Sequence, residues 1–323
     1  MAAFDLVTFG EPLISFIAGE IGPLHGVRHF QRSLAGAEVN VAIGMARLGY
    51  KVGYVSRVGN DVFGEMILNA LRSEGIDTRL VGIDRERPTG FQLKSRVVVP
   101  DPDVVYFRQG SAASSLAVEP SHSAYFASAR HAHLTGIPLA LSPSSHAFSE
   151  QVLSICSGAG KTVSFDPNLR PQLWPNRQEM IDTVNRIACR VDWVLPGLSE
   201  GTLLTGHSSP GDIAEFYLDR GVRVVVIKLG PAGAYYRTKD EEGYADGFSV
   251  QSVDTVGAGD GFAVGFISGM LDGLSLRNSV DRANAAGAMT VMSREDFGLA
   301  GFSELNQFMC AHRTSATMPQ PVE

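Results

Sequence analysis

The stretch Ser252-Val253-Asp254-Thr255-Val256-Gly257-Ala258-Gly259-Asp260-Gly261-Phe262-Ala263-Val264-Gly265 constrains this chain more than any other. It opens as a turn of small, Asp and Thr residues and passes into a helix of small and apolar residues reaching position 271, so Gly257, Ala258 and Gly259 fall where that helix begins. The first backbone N–H groups of a helix lack partners within it and its dipole favours negative charge. Side chains reduced to hydrogen or methyl therefore let a phosphate approach the backbone. Asp260 sits in the same turn. A carboxylate repels a phosphate, a cost that a plain binding loop avoids, whereas a base that takes a proton from an alcohol attacking the phosphate belongs there. Phosphoryl transfer follows as the first reading. This spacing alone also suits an ordinary Gly-rich turn entering a buried helix, with Asp260 as a helix-start charge.

Length and charge narrow the classes. With 323 residues, 44% hydrophobic and 19% charged, the chain can bury a sizeable core as one large α/β domain or a domain with a small appendage. Net charge is −7 and the basic residues are scattered, so there is no electrostatic footprint for nucleic acid or an anionic membrane, and small molecules are the expected partners. The N-terminus has no basic region followed by an apolar core, and no apolar run approaches the roughly 20 residues of a membrane span, so a cytoplasmic location is expected. Cys156, Cys189 and Cys310 lie far apart without CxxC spacing, which argues for neither a disulfide framework nor a zinc site.

Taken in order, residues 5–9 read as a first strand that stops at Gly10-Glu11-Pro12. Residues 13–31 are irregular and strand-like. Ala35-Gly36-Ala37-Glu38-Val39-Asn40 opens a helix that ends at Gly49, and its small residues suit either close packing on a sheet or ligand contact. A strand over 52–58, a helix over 63–74 and a turn at 75–78 give the β-α-β rhythm of a parallel sheet. That rhythm breaks at 91–99 and 104–108, two strands joined by Pro100-Asp101-Pro102-Asp103 with no helix between them. Such a hairpin projects from the sheet, and with residues 13–31 it forms a small lid able to keep water from a transferable phosphoryl group. Arg108 at its end is read on an exposed rim, serving solubility or clamping a substrate carboxylate through its planar fork.

His131 and His133 share one face of a strand with no third ligand at metal spacing, so they read as core or surface histidines. Gly158-Ala159-Gly160-Lys161-Thr162 mimics the end of a phosphate loop, but Ile155 stands where its first glycine belongs and the segment precedes a strand, so it is set aside. That strand, 163–166, delivers Asp166-Pro167-Asn168-Leu169-Arg170-Pro171 at its carboxyl end, where ligands gather in open α/β sheets. Helices over 145–157, 178–189 and 279–292 and strands over 193–196 and 222–229 complete the pattern. The last strand ends in Lys228-Leu229-Gly230-Pro231-Ala232-Gly233, a small-residue turn that suits nucleotide approach or a plain hairpin. With no linker or repeat, one domain over 1–313 is expected, with lid strands from about 11–33 and 88–111 and a loose tail at 314–323.

The same motifs carry a resemblance. Asp254-Thr255-x-Gly257-Ala258-Gly259-Asp260, followed by Ala263 and Gly265, resembles the C-terminal signature of the ribokinase-like (PfkB) carbohydrate kinases. Gly36-Ala37-Glu38-Val39-Asn40 with Ala46-Arg47-Leu48-Gly49 is similar to their N-terminal sugar-site motif. The likeness spans 10–296. It implies an α/β three-layer sandwich with a mostly parallel central sheet and a small β-sheet lid, using ATP and Mg²⁺, with a monovalent cation raised as a further cofactor. Within that family Asp260 is the base and the 257–260 backbone the anion hole; Gly36, Ala37 and Asn40 meet the sugar. Asn168, Lys228, Gly230, Gly233 and Asn284 join the glycine turn around the nucleotide, and Glu200 assists magnesium through water.

Asp-Pro-Asn-Leu-Arg followed by Leu173-Trp174 resembles one branch in particular, the kinases of 2-keto-3-deoxygluconate. That branch implies phosphorylation of the terminal hydroxyl to the 6-phosphate. It makes Arg170 a contact of the acid sugar and of the transferred phosphate, Gln92, Tyr106, Phe107 and Arg108 lid contacts, and Asp296 a partner of the hydroxyls. Four departures stand out: Ala35 replaces a second glycine, Gly197 replaces the asparagine usual three residues before Glu200, and Gln92 and Phe107 replace tyrosines. A neutral sugar such as fructose or ribose is the alternative substrate, and a sugar- or nucleotide-binding sensor without catalysis the alternative class. A dinucleotide dehydrogenase is disfavoured because no GxGxxG follows the first strand. Lid pairing between subunits of a homodimer or higher homo-oligomer is expected by analogy.

Overall fold

A computed structural model describes residues 2–96, 102–293, 298 and 301–315, with backbone only for 313–315. The described elements run β1 (Phe4–Phe9), β2 (Leu13–Ile21), β3 (Phe30–Ala35), α1 (Ala37–Arg47), β4 (Val52–Gly59), α2 (Val62–Ser73), β5 (Asp77–Asp84), β6 (Phe91–Arg96), β7 (Val104–Phe107), α3 (Pro120–Ala127) and β8 (Ala129–Thr135). They continue through α4 (Ile137–Leu141), α5 (Pro143–Gly158), β9 (Thr162–Asp166), α6 (Arg177–Ala188), β10 (Trp193–Val194), α7 (Leu198–Thr205), α8 (Pro210–Leu218) and β11 (Val224–Lys228). The chain closes with β12 (Gly233–Arg237), β13 (Glu242–Asp246), α9 (Ala258–Leu271), α10 (Leu276–Val291) and α11 (Phe302–Ser315).

The β-α-β rhythm produces a nine-stranded sheet in the order β13-β12-β11-β10-β9-β8-β1-β4-β5. It is parallel from β11 to β5, and β12 and β13 add antiparallel to one edge. Strand alternation sends side chains to two cores. In β11, Val224 and Val226 face the layer of α1, α2, α9, α10 and α11, while Val225 and Ile227 face that of α3 to α8. Near-continuous apolar runs such as 224–227 are what a strand covered on both faces requires. The ribokinase-like three-layer sandwich expected from the resemblance is therefore the observed fold.

The second sheet, in the order β3-β2-β6-β7, is the lid. Gly10-Glu11-Pro12 leads straight out of β1 into β2, and β6 with β7 forms the anticipated hairpin, its connecting residues 97–101 lying outside the described ones. β2 pairs parallel with β6 and antiparallel with β3, so the lid is stitched from two separate excursions of the chain. Most boundaries shift by one to three residues from expectation, and two of the shifts bear on the site or the core. β3 continues to Ala35, delaying the helix to Ala37, and Thr314 and Ser315, read as the start of a loose tail, close α11. The apolar face of that helix docks Leu305 into the core; residues 316–323 lie outside the description.

The small residues of α9 have a packing role as well. A Cβ on Gly265 would stand 2.5 Å from the Arg282 carbonyl oxygen and 2.6 Å from the Ala283 Cα, because α9 and α10 pack backbone to backbone. Backbone cannot rotate away as a side chain can. We expect Gly265→Ala to cost about 1–3 kcal/mol, the usual price of overpacking a close-packed core. Urea unfolding followed by circular dichroism should show a lower midpoint with an unchanged m value.

Candidate active site

The site forms where the carboxyl ends of β1, β9 and β11 meet the N-termini of α1 and α9 beneath the lid. It is a cavity of about 520 Å³ lined by residues from both sheets, among them Glu11, Asn40, Tyr106, Arg170, Lys228 and Asp260. Gly257 caps α9 in the left-handed conformation (φ 82°), and the Asp254 carboxylate accepts the Val256 N–H at 3.0 Å, folding the turn that precedes it. Gly261 donates to Gly257, so it is the first residue bonded in helical fashion. The Ala258 N–H reaches back to the Thr255 carbonyl at 3.3 Å, and the amides of Gly259 and Asp260 belong to the first turn, where a helix offers no acceptor. Gly257, Gly259 and Asp260 line the cavity; Ala258 does not.

Asp260 is 8% exposed. Its Oδ2 accepts the Asn40 amide at 2.7 Å and its Oδ1 that of Asn168 at 3.4 Å. Burial pushes its carboxyl up to about 7, Asn40 opposes that rise, Asp166 adds to it, and Lys228 and Arg170 pull it down. A carboxylate that takes up a proton near neutral pH suits a general base better than an ordinary one at 3.8. Asn168, read from the resemblance as a nucleotide contact, thus also steadies the acid, and it does so from a backbone at φ 40°, the one non-glycine with positive φ among the described residues. The Asn40 Oδ1 is buried without a partner among the described residues and can accept a bond from a ligand hydroxyl.

Lys228 and Asp166 form a second pair, Nζ to Oδ2 at 2.6 Å. Burial alone would lower the ammonium, but Asp166, Glu200 and Asp260 together hold it above the usual lysine range, so it is a fixed positive charge. A Cβ on Gly259 would lie 3.3 Å from that Nζ, which locates the ammonium beside the glycine turn. Asp166 carried no assignment from the sequence; its place at the carboxyl end of a central strand was the available signal. Glu200 lines the cavity, yet both of its oxygens accept backbone N–H groups, from Leu169 and Gly197, at 2.8 Å each. It ties the Asn168–Arg170 loop to α7.

On the lid side, Gly36 (φ 125°) leaves room only for hydrogen, since a Cβ would stand 2.6 Å from the Glu11 carbonyl oxygen. Ala37 and Gln92 line the cavity with it, and Gln92 donates to the Ser15 hydroxyl at 3.1 Å. Arg108 is corrected by the structure. Instead of standing on an exposed rim it is 7% exposed, ion-paired with the buried Glu11 and 5.3 Å from the Tyr106 ring centre. Glu11, which the sequence reading missed, also accepts the Ser111 hydroxyl. Phe107 is corrected too. Alternation along β7 sends Val104 and Tyr106 to the cavity and Phe107 to the opposite face, where it is 49% exposed and stacks on Phe91 at 4.7 Å.

Gly230, Gly233 and Asn284 do not line this cavity. The turn 229–233 is the hairpin into β12, closed by the Leu229 N–H to the Gly233 carbonyl, and Asn284 donates to the carbonyls of Ala245 and Asp246 at 3.0 and 3.1 Å. Asp296 lies outside the described residues. His131 and His133 are buried and held neutral by burial, His131 between Thr162, Ser164 and the Trp193 ring, which makes them core histidines. No cluster of metal-ligating side chains occurs among the described residues.

Comparison with known proteins agrees with this geometry. Residues 3–296 match the model of the pfkB family carbohydrate kinases. The 2-dehydro-3-deoxygluconokinase of Bacillus subtilis (strain 168) is 50% identical over 313 residues, 96% of this chain and 97% of that protein. A PfkB protein from Polaromonas sp. JS666 superposes with a TM-score of 0.88 at 45% identity, covering 94% of this chain and 99% of the other. A putative ribokinase II from E. coli, solved in complex with ATP and Mg²⁺, gives 0.88 at 27% identity over 96% and 100%. The chain belongs to the pfkB carbohydrate kinase family.

A general base at position 260 would have to be ionised to turn substrate over. We expect kcat/KM to fall about tenfold per pH unit below an inflection near 7. Asn40→Ala removes the bond that favours the carboxylate, so its inflection moves to higher pH; a coupled assay from pH 5.5 to 9 measures both.

Proposed function

We propose that this pfkB family carbohydrate kinase transfers the γ-phosphoryl group of ATP to the terminal hydroxyl of 2-keto-3-deoxygluconate, forming the 6-phosphate. The observation that carries the proposal is Asp260, buried at the first turn of α9 with a carboxyl raised to about 7, facing a cavity that also holds two arginines. The substrate hydroxyl gives its proton to Asp260. Its oxygen bonds to the γ-phosphorus as the bond from that phosphorus to the departing ADP oxygen breaks. The first-turn amides of α9 and the Lys228 ammonium face the charge on the moving group. Removing one such donor costs about 10²–10³-fold in related chemistry.

Asp166, paired with Lys228, and Glu200, bound to two amides, are cavity-lining carboxylates that would hold a magnesium ion through water, where it would neutralise the phosphates. Asn40, with its unpartnered Oδ1, and Gly36, with no side chain, form the hydroxyl end of the sugar site. Arg170 and Arg108 recognise the carboxylate. Support from outside the chain is the 50% identity to a 2-dehydro-3-deoxygluconokinase.

One observation favours a second reading. Glu11 already neutralises Arg108, which leaves Arg170 as the cavity-lining arginine without an ion pair among the described residues and makes a neutral ketose a competitor. Two measurements decide. Asp260→Asn should lower kcat by about 10²–10⁴-fold with ATP affinity kept, as loss of a positioned base does; near-normal turnover would overturn its role. Arg170→Leu should raise KM for the acid sugar at least about tenfold more than for fructose, the scale of one lost charge-assisted contact. Equal effects on both sugars would assign a neutral substrate.

A further inference from the structure

Lys94 occupies an unusual place. It is a lysine only 1% exposed, carried on lid strand β6, and its Nζ lies 2.6 Å from Oδ2 of Asp254, itself 17% exposed. Asp254 belongs to the other structural unit, the turn that leads into α9. Its second carboxylate oxygen accepts the Val256 N–H, and its own N–H donates to the Val291 carbonyl at 3.2 Å, fixing the turn to the end of α10. One carboxylate therefore shapes the Thr255–Val256–Gly257 wall of the cavity with one oxygen and takes a lid ammonium with the other.

Position 94 is two residues from Gln92 on the same face of β6, and it pairs across the hairpin with Val104; both of these line the cavity. Displacing the lid from its seat separates a buried ammonium from its carboxylate, an expensive change in a site shielded from water. Conversely, a lid seated on bound sugar places the ammonium where it holds the turn. We propose that Lys94 is a positioning residue for phosphoryl transfer: through Asp254 it couples seating of the lid over the sugar to the placement of the anion-binding turn 255–259. The inference rests on the kinase reading above, and adds to it the element by which the phosphate side of the site registers that the sugar side is filled. The enzyme then withholds transfer from water when no sugar is bound.

The test uses the full-length protein with MgATP, measuring ADP release and sugar phosphate separately, with and without 2-keto-3-deoxygluconate. Lys94→Met, which keeps length and loses charge, should lower kcat about 10–100-fold, the scale of a small misplacement of reacting groups, with sugar KM changed less than about threefold. The ratio of ADP released to sugar phosphate formed should rise above one. Lys94→Arg should recover most of the rate. Asp254→Asn should reproduce the defect, and the double variant Lys94→Met/Asp254→Asn should be no slower than the worse single one, since a severed pair cannot be severed twice.

Multiplying defects in the double variant, or a Lys94→Met enzyme with wild-type kcat and one ADP per sugar phosphate, would overturn the inference. Should Lys94→Met fail to fold by circular dichroism, Lys94→Arg and the near-isosteric Asp254→Asn decide by the same ratio. A wild-type protein that phosphorylates neither acidic nor neutral sugars overturns the kinase reading itself, a result distinct from any difference between variant and wild type.

Discussion

The site rests on the hydrogen bond between the Asn40 amide and the Asp260 carboxylate, 2.7 Å long and spanning 220 residues of sequence. Burying a carboxylate is costly unless its oxygens are satisfied, and here one oxygen is bound by α1 and the other, more loosely, by Asn168 at the end of β9. Three elements must therefore converge before Asp260 can be both dry and oriented. Their convergence also explains the raised carboxyl: the bonds are too few to offset the desolvation, and Asp166 adds a like charge nearby. A carboxyl poised near neutrality is a product of incomplete satisfaction.

Around it the charges are arranged in pairs that bridge separate units. Lys228 with Asp166 joins the ends of β11 and β9, the two strands that flank β10, Arg108 with Glu11 joins the lid hairpin to the exit from β1, and Lys94 with Asp254 joins the lid to the turn before α9. A surface pair of this kind would contribute little, but buried partners are difficult to separate because each leaves an uncompensated charge. The lid is thus held against the core by electrostatics at its inner face, while Phe16, Phe63, Phe91 and Phe107 pack on its other face.

Much of this was legible from residue order. The Gly257-Ala258-Gly259-Asp260 turn, the helix entrance at Gly36, the interrupted rhythm at 91–108 and the strand-end loop at Asp166 each announced their place through small residues, alternation or periodicity. What went unread was pairing. Nothing local distinguishes Arg108 as a clamp for a ligand from Arg108 as the partner of Glu11, 97 positions away, and Phe107 was misplaced because its neighbours face the cavity while pleating turns it outward. The turn at 229–233 was left open between nucleotide approach and a plain hairpin, and the bonds of Asn284 to the carbonyls of β13 were hidden, because antiparallel addition at a sheet edge leaves no distinctive spacing behind.

By itself, then, the order of residues determined the α/β class, the lid excursion, the position of the glycine-rich helix start and the acid in its first turn, since these depend on backbone chemistry and contacts within a few residues. Only the tertiary structure decided how buried Asp260 is, which arginine is already neutralised and which lysine reaches across from the lid. Those quantities depend on dielectric and distance, and both are set by segments 97 to 220 residues apart in sequence coming to lie within three ångströms.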